Sequence, residues 1–258
     1  MHAGMKEFKL YPLQKPIPTT KNSNPPVYRA IQWRQIMMLP FFYWLLCLPA
    51  FGQTTSAQEL ANYQAIASQC ASTDKRIGIR LFVAQKGNQL AQPASWFTAQ
   101  LKRSNRAFQQ FHLCFVVHKV EILPPTIWRI ASRQERTKLG KDHLQRGFIH
   151  VFLVGQLDDV DKPGEQIRGV HWRHPKNRET KRWIILSKIA PQIVLAHELG
   201  HFFGLPHSKD PTSIMNKRAR SIPMSKRIFP DNERKKIRIH WQRMQKNRYL
   251  KVIPLVKK

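Results

Sequence analysis

The chain has 258 residues, 42% of them hydrophobic and 10% aromatic, which is enough for one well-buried domain with short appendages and too little for two full ones. Its 44 Lys and Arg against 15 Asp and Glu give a net charge of +29, but the apolar content excludes a disordered chain. The charge predicts attraction to anionic partners, such as an anionic surface polymer or lipid headgroup. With no zinc-finger pair, RNA-binding aromatic signature or basic zipper, the sequence argues against a dedicated nucleic-acid site, and it leaves the oligomeric state open.

At the N-terminus, Lys6, Lys9, Lys15, Lys21, Arg29 and Arg34 precede an unbroken apolar run over residues 36–50. This is the layout of a signal peptide spanning 1–57, with small residues for cleavage at Thr55-Ser56-Ala57. The run contains Pro40 and Pro49 and is shorter than the roughly 20 residues a spanning helix needs, which disfavours a membrane anchor through 36–52. The expected localisation is therefore secreted, periplasmic or extracellular, with a short extension over 58–75 ahead of the domain proper at 76–258. The leader carries six Lys or Arg and one Glu, so the remainder keeps 38 basic and 14 acidic residues, a net +24. Removing the leader also removes Cys47. In an oxidising compartment the remaining cysteines, Cys70 and Cys114, can pair, since parallel neighbouring strands would bring them to one edge of a sheet. Two separate thiols are the alternative.

After the leader, a short helix is expected over 57–71 and a strand over 77–84, where IGIRLFVA is apolar and partly β-branched. Ser95 can cap a following helix, in which Trp96, Leu101, Phe108 and Phe111 recur near helical spacing. A strand over 113–123 is stopped by Pro124-Pro125. A polar helix over 132–139 leads to an interior strand over 148–154. An acidic loop follows, and then short strands at 170–173 and 183–186. The segment 191–203, PQIVLAHELGHFF, reads as a helix opened by Pro191. A basic irregular stretch over 216–229 precedes a last helix over 231–246.

The most informative segment is His197-Glu198-Leu199-Gly200-His201-Phe202-Phe203-Gly204-Leu205-Pro206-His207. Histidines at i and i+4 on a helix share one face about a turn apart and can reach one ion. Gly204 permits the sharp departure that returns His207 as a third ligand. Three neutral imidazoles with one open position define a catalytic rather than a closed structural zinc site. Glu198 is placed to serve the metal-activated water without ligating the metal.

HExxHxxGxxH followed by Met215, eight residues after His207, resembles the metzincin zinc proteases, and most closely the short matrixin-like catalytic domains of secreted enzymes. The likeness covers residues 76–246 and is specific over 183–216. It implies an α/β (α+β) fold, with a mixed five-stranded sheet, an active-site helix and a small C-terminal subdomain. It also implies one catalytic Zn2+, a Met-turn at Met215, and a peptide or protein substrate held extended on an edge strand at Gly169, Val170, His171 and Trp172, where Trp172 either lines the cleft or simply packs. Asn216 stands where these families commonly have tyrosine, so no tyrosine role carries over. No inhibitory cysteine motif or prodomain-length segment is present. His171 and His174, with Asp158, Asp159, Asp161 and Glu165, raise an accessory Zn2+ or Ca2+ site, but their spacing does not reproduce the family's ligand pattern. Two other readings are a catalytically silent zinc module that binds anionic cell-surface polymers, and a hydrolase of non-peptide amides.

Overall fold

The computed structural model describes residues 56–66, 70–177, 181–217 and 222–254. The basic leader and its apolar run lie outside the described residues. Among the described residues no helix is long and apolar enough to cross a membrane.

In chain order the elements are α1 (Ser56–Gln64), β1 (Lys75–Lys86), β2 (Gln89–Leu90), α2 (Ala94–Phe108), β3 (Leu113–Leu123), β4 (Arg129–Ile130), α3 (Arg133–Lys141), β5 (Ile149–Val154), β6 (Gln156–Leu157), β7 (Gly169–Arg173), β8 (Arg182–Ser187), α4 (Val194–Phe202), α5 (Asp231–Lys246) and β9 (Val252–Ile253). Five longer strands run side by side as β3-β1-β5-β8-β7, and the two-residue strands β2 and β9 add to β1, making a seven-stranded sheet. All neighbours among the five are parallel except β7, which runs antiparallel to β8 and forms the sheet's edge. The strands buried on both faces read as continuous apolar runs. Every residue of β5 (IHVFLV) and β8 (RWIILS) is buried, whereas no residue of β7 is.

Alternation along β7 and β8 assigns the helices to opposite faces. Trp172 lies opposite Trp183 on the face covered by α3, where a Cβ on Gly140 would sit 2.5 Å from the Trp183 indole. His171 and Ile184 point to the other face, where α4 packs and the His171 ring meets Phe202. Beneath α4, Phe108, Phe115, Phe203 and Phe229 form one aromatic cluster that joins α2, β3 and the start of α5. Cys70 and Cys114 are joined by a disulfide that ties the approach to β1 to β3.

Three local expectations are corrected by contacts from elsewhere in the chain. Ser95 does not cap α2. The helix begins one residue earlier, and the Ala94 N–H donates to the Glu59 carboxylate of α1 at 2.9 Å. Pro191 does not open α4 either. It precedes a turn, and the helix starts at Val194 because the buried Gln100 amide of α2 donates to the Pro191 carbonyl and accepts the Leu195 N–H, at 2.9 and 3.0 Å. The first helix ends at Gln64 rather than at residue 71. By contrast, Ser132 caps α3 in a reciprocal capping box with Glu135.

Candidate metal centre

Helix α4 presents His197 and His201 one turn apart, and the chain leaves it at Gly204, whose φ of +87° is the left-handed conformation that glycine adopts without strain. The Leu205 N–H closes the helix on the Gly200 carbonyl at 2.9 Å, and two residues later His207 comes back over the helix. One ligand atom from each of His197, His201 and His207 lies within 4.8 Å of the others, and this is the one such group of three or more metal-ligating side chains among the described residues.

The ring tautomers are set from behind. His197 Nδ1 is 2.8 Å from the Ile214 carbonyl and His201 Nδ1 is 2.7 Å from the Leu205 carbonyl, so each Nδ1–H donates to an acceptor that has no proton of its own. That leaves Nε2 as a bare lone pair facing the cluster. His201 Nε2 and His207 Nε2 are 3.1 Å apart. Two nitrogens on one tetrahedral zinc at about 2.05 Å would be separated by about 3.3 Å, so this pair is spaced for that ion. Burial reinforces the neutral state ligation requires. It lowers the pKa of His201 to about 3 and of His207 to about 4, with the neighbouring histidines and Lys217 adding to the effect, and it lowers His197 as well.

Glu198, 5% exposed, lies between α4 and the edge strand. Burial pushes its carboxyl up to about 8, opposed by the His171 backbone N–H and by Lys217. Gly169 keeps this approach open, since a Cβ there would lie 2.7 Å from Val194 and 3.3 Å from Glu198 Cγ. Trp172 is on the opposite face of β7. Its indole donates to Thr137 Oγ1 at 3.1 Å, and the Arg136 guanidinium lies 5.2 Å from its ring centroid.

Met215 is fully buried against α4, where a Cβ on Gly200 would sit 2.3 Å from its sulfur. The turn that carries it is held by residues that the motif did not reveal. Ser213 Oγ accepts the Met215 N–H at 2.9 Å and donates to the buried Glu233 carboxylate of α5 at 2.8 Å. Asn216 donates through its side-chain amide to the Asp210 carbonyl at 2.8 Å. Arg182 donates to the Phe202 carbonyl at 3.0 Å and so supports the C-terminus of α4. Gln100, Gly200, Arg182 and Glu233 all escaped sequence reading. Only Glu233, which with Asp231 is one of two acidic residues in an otherwise basic helix, carried any signal there.

In the acidic loop, Asp158 accepts Arg129 and Gln156, Asp161 pairs with Arg133, and Glu165 pairs with Lys162. His174 Nδ1 accepts the Lys176 N–H at 3.3 Å.

Residues 133–245 match the family model described as Matrixin. The zinc-protease fold of the metzincin superfamily is supported. Among solved structures, the chain is similar to an archaemetzincin from Methanopyrus kandleri at 16% identity, covering 65% of this chain and 97% of that one with a TM-score of 0.45. It is similar to metalloproteinase-II from Bacteroides fragilis at 13% identity, covering 67% and 55% with a TM-score of 0.44. A zinc-dependent peptidase from Methanocorpusculum labreanum matches at 17% identity, 62% and 100% coverage and a TM-score of 0.36. No curated protein sequence matches the chain. The histidine triad and the matched segment support a zinc-dependent peptidase with one metal site and a peptide or protein substrate.

Proposed function

We propose that the chain is a secreted, matrixin-like zinc endopeptidase in which Glu198 is the general base. The observation that carries this reading is the convergence of three neutral histidine ligands with a buried carboxylate one residue along the same helix. His197, His201 and His207 would hold the ion. Zinc bound there supplies a Lewis acid that acidifies water and polarises a carbonyl.

The chain's own groups do the rest. Glu198 takes a proton from the attacking water and returns it to the departing amine, and the burial that raises its carboxyl favours its holding that proton between the two transfers. Gly169 to Arg173 hold the substrate backbone extended by adding it as a strand at the sheet edge. Met215 and Gly204 are assigned the floor and the turn of the site.

Residues 1–57 are proposed as a cleaved leader, 58–75 as an extension and 76–258 as the protease domain. The Cys70–Cys114 disulfide supports an oxidising compartment. The match over 133–245 and the spacing from His207 to Met215 support the matrixin likeness.

The experiment is turnover of a quenched, unstructured peptide pool. Cleavage is expected to stop on chelation and return with zinc, and dialysed protein should hold about one zinc per chain. His207→Ala is expected to lose both zinc and turnover. Full zinc occupancy in that variant, or cleavage that resists chelation, would overturn the assignment.

A further inference from the structure

We propose that the cleft between α3 and β7 selects acidic side chains in the substrate, an inference that rests on the peptidase reading and adds its substrate class. The geometry starts from the edge strand. The Arg168 carbonyl accepts the Ser187 N–H at 3.0 Å and the His174 N–H donates to the Lys181 carbonyl at 2.8 Å, so even-numbered main-chain groups face β8. By antiparallel alternation, those of Gly169, His171 and Arg173 face outward, and the His171 N–H does reach Glu198 on that side. An extended peptide paired along this edge sends every second side chain to the face of Trp172.

That face opens into a cleft of about 850 Å³ whose lining includes Arg133, Thr137, Lys138, Lys141, Trp172 and Arg173. One carboxylate, Asp142, also lines the cleft beside the cationic Arg133, Lys138 and Lys141 of α3, whereas the Arg173 guanidinium turns to the other face and lies 3.5 Å from the His201 carbonyl. Asp161 is already engaged by Arg133, and Lys138 and Lys141 have no ion pair among the described residues. The two lysines are three residues apart on one helix and therefore neighbours, an arrangement that repels by itself and is relieved by an anion between them. The wall is rigid. Thr137 accepts the Trp172 indole, Arg136 lies against the ring, and the capping box fixes the start of α3. An Asp or Glu side chain entering from the paired strand meets a positive field backed by an immobile aromatic surface.

The test uses the purified protein and peptide pairs that differ only in Asp or Glu against Asn or Gln at alternate positions around the cut. The acidic member is expected to have a kcat/KM about fivefold to tenfold higher at low salt, from two or three exposed charge pairs, with the ratio falling toward one as salt is raised. Lys138→Gln with Lys141→Gln is expected to abolish the ratio, and Lys138→Glu with Lys141→Glu to invert it, each compared at equal zinc content and equal thermal unfolding. A ratio of one in the wild type, with both peptides cut, overturns the cleft and leaves the peptidase reading in place. A ratio that survives charge reversal also overturns it. Peptide affinity by fluorescence anisotropy needs no turnover. Preference for the acidic peptide that is lost in the double variants, without cleavage of either peptide, sustains the cleft and overturns the peptidase reading.

Discussion

Glu198→Gln is expected to keep the fold and the zinc and to lower peptide turnover by about 10²- to 10⁴-fold. Glutamine has nearly the same shape, and its side-chain oxygen can still accept the His171 N–H, but it cannot take a proton from water. The substitution also has a stability signature with a definite sign. In the zinc-free protein, burial holds the Glu198 proton on to about pH 8, whereas in the unfolded chain it leaves near 4.5. Between those values the folded state binds more protons, so Glu198 costs stability progressively as the pH rises through that window. After chelation, the unfolding temperature of Glu198→Gln should therefore equal or exceed that of the wild type, with the gap widening from pH 5 to pH 8. Equal turnover in variant and wild type would remove Glu198 from the mechanism. A variant that loses zinc as well as activity would assign it to metal retention instead.

Removing the disulfide by replacing both Cys70 and Cys114 with alanine is expected to cost about 4 kcal/mol, the loop-closure entropy for a bridge across 44 residues. The bridge restrains the segment between β1 and the start of β3, which contains all of α2. That helix supplies Gln100, which accepts the Leu195 N–H at the buried start of the metal-binding helix, so the loss should also increase fraying at α4. Urea unfolding of zinc-loaded wild type and double variant, in the presence and absence of reductant, measures the cost. A difference below about 1 kcal/mol would show that β1 and β3 hold their register without the bridge. Reductant should lower wild-type stability to that of the double variant and leave the variant itself unchanged.

The parts of this molecule legible in the sequence are those set by local chemistry. The histidine spacing places two ligands on one helical face, Gly204 takes the left-handed turn, and Pro124-Pro125 end β3 at the limit expected. The apolar run of β5 announced an interior strand, whereas the mixed sheet was implied by the family resemblance and not by the runs. The misreadings fall where a local signal was displaced by a distant one. Ser95 is a good cap in isolation, but Glu59 reached the helix start first. Pro191 is a good first-turn residue, but the Gln100 amide from another helix set the boundary of α4 three residues later. Neither Glu233 nor the face shared by α3 and β7 could be found by spacing, because each depends on packing between elements far apart in the chain.

The Ser213–Glu233 contact has a consequence for timing. His207, the last of the three histidines, emerges from the ribosome 26 residues ahead of Glu233, so the Ser213–Glu233 contact forms only after the start of α5 has been made. The ligand set is therefore complete in sequence before its floor is complete in space. A growing chain that has emerged only as far as His207 carries all three ligand histidines while the turn that bears Met215 still lacks its Glu233 anchor.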